Sequence, residues 1–121
     1  MNENVLKEKS FSYAVRIVNA HRFICEKEKA FELGKQLLKS GTAVGALYRE
    51  AEHAESTADF IHKLSIAQKE CDESMYWLEL LHATESIDAK SFKSIHADAK
   101  ELIKIITAIL TTTKKNANSA N

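Results

Sequence analysis

Placed at 100° intervals, the apolar residues of this chain fall into helical stripes. Four helices follow: Ser10 to Glu26, Lys29 to Glu55, Ser56 to Ser86 and Ala89 to Thr112. Residues 114–121 form a polar tail that is expected to fray. Short connections make sequential helices antiparallel neighbours, so the expected fold is all-α, an up-down-up-down four-helix bundle. Residues 1–121 read as one domain, without repeat, low-complexity block or linker. Ser56-Thr57-Ala58-Asp59 has the form of a capping box with Asp59 in place of the usual Glu, and Ser86 or Asp88 is placed to cap the last helix.

The first and third helices carry more apolar surface than one stripe requires. In the first, Phe11, Ala14, Val15, Val18 and Cys25 form one stripe, while Tyr13, Ile17, Ala20 and Ile24 form another on nearly the opposite face. In the third, Phe60, Leu64, Ala67, Cys71, Met75 and Leu78 make a core stripe, and Ile66, Trp77 and Leu80 point elsewhere. The fourth helix has a single stripe of Phe92, Ile95, Ala99, Leu102, Ile106 and Leu110. Two central helices touching neighbours on both sides would explain the surplus. Self-association explains it better, because large exposed apolar patches are rare on monomers. Tyr13, Ile17, Ile24 and Trp77 are the expected subunit interface.

The second helix departs from ordinary composition at Gly41 and Gly45, two of the chain's three glycines. Glycine costs roughly 1 kcal/mol against alanine inside a helix. Four residues apart, the two lie on one face, where missing side chains let a second backbone approach closely.

Composition narrows the function. The 121 residues hold no proline, which suits an all-helical chain, and 17 basic against 17 acidic side chains give zero formal net charge. Charge is unevenly spread: residues 1–49 carry nine basic and five acidic groups, residues 50–101 five and twelve. Arg16, Arg22, Lys35, Lys39 and Arg49 are therefore candidates for contact with RNA, DNA or an acidic partner, although the neutral total favours an ordinary solvated face. Cys25 and Cys71 sit in apolar periodic segments and read as reduced core residues, with no Cys/His spacing for zinc. The first residues lack a signal-peptide pattern and no window has the length of a membrane span, so a soluble, cytoplasmic protein is expected.

Glu50-x-x-His53 and Glu79-x-x-His82 resemble the ligand pairs of di-iron bundles, and Asp59-x-x-His62 has the same spacing. With the second and third helices meeting near Ser56, the first two motifs lie on the order of 25 Å apart along the bundle at about 1.5 Å per residue. They do not share a metal within one subunit. Glu50, His53, Asp59 and His62 flank one turn, but they read as surface groups near helix ends. Ser10, Ser40, Ser65 and Ser74 have no readable His/Asp framework, and no nucleophile elbow or phosphate loop is present. No enzyme, metal or cofactor is expected.

The run from Gln36 to Ala51 (QLLKSGTAVGALYREA) resembles the signature of four-helix-bundle proteins encoded in intervening sequences of bacterial 23S ribosomal RNA genes. The resemblance extends through Ala58–Glu70, Glu73–Leu81 and Phe11–Val18, and so over about Ser10 to Thr112. It implies a left-handed antiparallel bundle assembled as a ring, usually a homopentamer, without enzymatic activity. It also implies kinship with the accessory variability determinant of diversity-generating retroelements, a basic pentamer that binds a reverse transcriptase and nucleic acid. Ala43 and Leu47 replace the Ser and Asn common in the glycine motif of the family, and Lys39 its usual arginine. Those changes weaken a polar site there and leave close helix packing intact. The expected function is a non-enzymatic, homo-oligomeric scaffold or partner-binding module, with nucleic-acid binding as the alternative.

Overall fold

The computed structural model describes residues 2–119. Among the described residues there are four α-helices: α1 (Asn2–Phe23), α2 (Phe31–Glu52), α3 (Thr57–Ala83) and α4 (Ala89–Ser119). A π-helical turn, Ile24–Glu28, continues α1. Lys29 then closes it in the left-handed conformation (φ 56°), its N–H donating to the carbonyl of Ile24.

The buried positions explain the packing. Leu6, Ser10, Tyr13 and Ile17 on α1 are spaced alternately by four and three, as are Leu64, Ala67, Cys71, Ser74 and Leu78 on α3. Leu37, Gly41, Val44, Tyr48 and Ala51 on α2 repeat the alternation, with Ile95, Ala99, Leu102 and Ile106 on α4. An average spacing of 3.5 keeps one seam turned inward only if the helices coil left-handedly about one another. Each helix packs against the next, and α4 returns against α1, so that α1 lies diagonal to α3 and α2 to α4. Across one diagonal the Tyr13 hydroxyl meets Ser74 Oγ at 2.8 Å, and Ser74 donates to the Cys71 carbonyl at 2.7 Å. The buried polar groups of this central layer thus satisfy one another.

Helix ends follow local chemistry. Ser56 Oγ accepts the Asp59 N–H (3.0 Å), and the Asp59 carboxylate accepts the Glu55 N–H (3.2 Å), which fixes the start of α3. Between α3 and α4, Glu85 takes φ 61° while the Ser86 N–H reaches the Leu81 carbonyl. Asp88, not Ser86, caps α4: its carboxylate accepts the Ser91 N–H at 2.9 Å, a bond that holds its pKa below the usual carboxylate range.

Two boundaries differ from the sequence expectation by more than three residues. Helix α1 begins before Ser10, because Leu6 extends the inward repeat by one turn and is fully buried. Helix α4 runs to Ser119 rather than Thr112; half-buried Thr113 and Ala117 continue its inner stripe, and no proline or glycine stops it.

Candidate functional site

The side chains on α1 reverse the expected assignment of its two stripes. Tyr13, Ile17 and Ile24, expected at a subunit interface, are interior: each is at most 1% exposed within the single subunit. Phe11 and Val15, from the opposite stripe, are 59% and 45% exposed. The reason lies on α2. A Cβ at Gly41 would stand 2.7 Å from Ile17 Cγ1, so that glycine is the notch into which Ile17 fits. At Gly45 the same atom would meet Ser10 Oγ at 3.3 Å and Ser10 backbone at 3.5 Å, which marks close approach of the two helices.

The same glycine face opens outward into a shallow groove of about 200 Å³ between α1 and α2. Gly45, Ala46 and Thr42 leave it unfilled, and Phe11 and Ala14 line its opposite wall. The Arg49 guanidinium lies over the Phe11 ring, 5.8 Å from its centroid. Phe11, Val15 and this groove thus form an apolar strip edged by two cations, Arg49 and Lys7.

Diagonally opposite, α3 carries a second exposed apolar strip. Tyr76 is 56% exposed and meets Trp77 edge-on, with ring centroids 5.1 Å apart. Trp77 is half-buried against the edge of the core, its Nε1–H donating to Glu73 at 3.0 Å. Ile66 and Leu80 are also half-buried.

The five cations picked out in the sequence do not form one face. Arg16 turns into the α1–α4 seam, where it pairs with Asp98 and donates to Ser94. Arg49 is engaged over Phe11, while Arg22, Lys35 and Lys39 are exposed on the outer sides of α1 and α2. The α1–α4 seam beside Arg16 holds a larger cavity, about 300 Å³, walled by Ala20, Phe23, Ile87 and Ile95.

The metal-like motifs are occupied with other work. Glu50 bonds Lys63 (3.0 Å), Asp59 caps α3, Glu79 bonds His96 (2.8 Å), and His82 stacks on Phe92 with centroids 4.4 Å apart. Among the described residues no three His, Cys, Asp or Glu gather as a metal site. The hydroxyls of Ser10, Ser40 and Ser74 donate to backbone carbonyls of their own helices. Of the cysteines, Cys71 is fully buried and its thiol is pushed up to about 12, chiefly by burial. Cys25, expected in the core, is only half-buried on the π-helical turn, with Sγ 3.4 Å from His21 Nε2.

Two apolar strips thus lie on opposite sides of a bundle whose interior polar groups are internally bonded. The model of the 23S rRNA-intervening sequence protein family matches residues 2–108. The chain belongs to this family. A protein with unknown function from the S23 ribosomal protein family of Bacteroides thetaiotaomicron, known from a crystal structure, is 50% identical. The match covers 92% of this chain and 99% of that one, with a TM-score of 0.90. No relative of this family member is found among curated proteins. Among the described residues no helix is long and apolar enough to cross a membrane.

Proposed function

We propose that this protein is a non-enzymatic, self-assembling scaffold of the cytoplasm, closing head to tail into a homopentameric ring. The observation that carries the reading is the exposure of Phe11 (59%) and Val15 (45%) around an unfilled groove. Apolar strips of this kind are uncommon on monomers. A ring needs two different complementary surfaces on each subunit, since a heterologous contact repeats around a closed circle. The α1 strip and the Tyr76/Trp77/Leu80 strip of α3 lie on diagonal helices, and so on opposite sides of the subunit. That geometry supports docking the α1–α2 groove of one copy on the α3 flank of the next. Five subunits are what the family resemblance implies. Trp77 keeps its interface role in this reading, while Phe11 and Val15 replace Tyr13, Ile17 and Ile24.

Sedimentation velocity tests it. The wild-type chain should sediment as an oligomer, and Phe11→Glu/Val15→Asp should sediment as a monomer with unchanged helical circular dichroism. A monomeric wild type, or a variant of undiminished mass, rejects the assembly.

A further inference from the structure

We infer that the outer face of α4 binds the phosphate backbone of a double-stranded nucleic acid, without reading its sequence. Helix α4 carries six lysines, Lys90, Lys93, Lys100, Lys104, Lys114 and Lys115, and all six are exposed. Among the described residues none of the six is in a salt bridge. The two acids of the same helix are already neutralised from α1: Asp98 by Arg16, and Glu101 by Lys9 at 3.0 Å. The outer arc of α4 is therefore a run of six exposed lysines outside any salt bridge among the described residues, on a protein whose net charge is zero.

Spacing makes the run a strip. At 100° per residue, Lys93, Lys100, Lys104 and Lys115 fall within an arc of about 60°. At about 1.5 Å per residue, Lys93 to Lys104 spans roughly 16 Å and Lys93 to Lys115 roughly 33 Å. Between them stand Ala97, Ala108 and Thr111, all exposed and short, with Glu101 at the strip's edge held by Lys9, so a rigid rod of charge can lie close along the helix. A duplex presents about one phosphate charge per 1.7 Å of its axis, which a linear array of ammonium groups can follow in many registers.

The rest of the strip's chemistry decides the kind of partner. It has no arginine fork to read base edges. It has no aromatic platform for stacking single-stranded bases, since Phe92, the helix's one aromatic, is half-buried against His82. It also lacks the apolar anchors that carry most protein–protein interfaces. Charge alone, evenly laid along a helix, fits a regular polyanion. The inference does not rest on ring assembly, because one subunit carries the whole strip; a ring would repeat it.

Fluorescence anisotropy with a 20-base-pair duplex, RNA and DNA in turn, tests it on the full chain. Binding should weaken with added salt, with a slope of log K against log salt of about −3 to −4 for three or four phosphates neutralised. Lys93→Glu/Lys100→Glu/Lys104→Glu should bind at least tenfold more weakly while keeping wild-type helicity and sedimentation mass. Arg22→Glu/Lys35→Glu, on the other side of the bundle, should stay within twofold of wild type. Absent or salt-insensitive binding overturns the inference, and so does a triple variant that binds as well as wild type. Polyglutamate that competes as well as the duplex at equal charge also overturns it, pointing to an acidic protein instead. Because mass is read on the same samples, loss of binding and loss of assembly are told apart.

Discussion

An added methyl at Gly41 would lie 2.7 Å from Ile17 Cγ1 and 2.9 Å from Cγ2. Ile17 is fully buried and branched at Cβ, so it has little rotamer freedom with which to retreat. Gly41→Ala should therefore destabilise the bundle by about 1–3 kcal/mol through overpacking, despite alanine's better helix propensity. Gly45→Ala, which meets Ser10 at 3.3 Å or more, should cost less. In an Ile17→Ala background the Gly41 penalty should shrink, since the clashing atoms are gone. Urea unfolding of the four proteins checks this, and an unreduced penalty in the double variant refutes the notch. Buried acids of the central layer give a second test at this scale. Burial lifts the Tyr13 hydroxyl well above its ordinary range of about 10, and lifts Cys71 from 9.0 to about 12. Above pH 9 to 10 the unfolded chain releases protons that the folded one retains, so the stability is complete below about pH 9 and falls as pH rises. Melting temperature followed from pH 8 to 11 should drop. Tyr13→Phe should drop less above pH 10, and Ser74 keeps its bond to the Cys71 carbonyl in that variant. A melting temperature that holds steady over this range contradicts the assignment.

At the scale of the element, four helices were legible because periodic apolar residues, short connections and the absence of proline all point one way. The membership of α1's faces was not. Phe11, Val15 and Val18 are as apolar as Tyr13, Ile17 and Ile24, and hydrophobicity does not say which set meets the neighbours. Shape says it: the inward set alternates strictly by four and three from Leu6 onward, and one of its members fits the Gly41 notch. The glycine pair marks a closely packed surface, but a missing side chain does not name the residue that fills its place. The first turns of α1 are faint in the sequence because one leucine among polar residues makes a weak stripe, although Leu6 lies in phase with Ser10 and Tyr13. The lysine strip is hidden for another reason. Along the sequence Lys90, Lys93 and Lys100 fall in one stretch with the acids of α3, and only the folded helix separates them.

For the whole molecule, charge and apolar surface are laid out on different diagonals. The strips of α1 and α3 face opposite ways along one, and the lysines of α4 occupy the outside of the other, with α2 across from them. Assembly through the first pair would therefore leave the lysines uncovered, and the two properties should respond oppositely to ionic strength. Apolar association is not weakened by salt, and excluded salts such as sulfate strengthen burial. Contact with phosphates releases counterions, and three or four such contacts lose roughly 40- to 150-fold in affinity when salt rises from about 50 to about 200 mM. A salt series on one wild-type preparation, with mass by sedimentation and duplex binding by anisotropy, should show constant mass while binding disappears. If mass falls in step with binding, the subunits are held by the charges and not by Phe11, Val15 and Trp77. The strip on α4 would then be an interface between copies, and the layout in which each diagonal has its own task would be wrong.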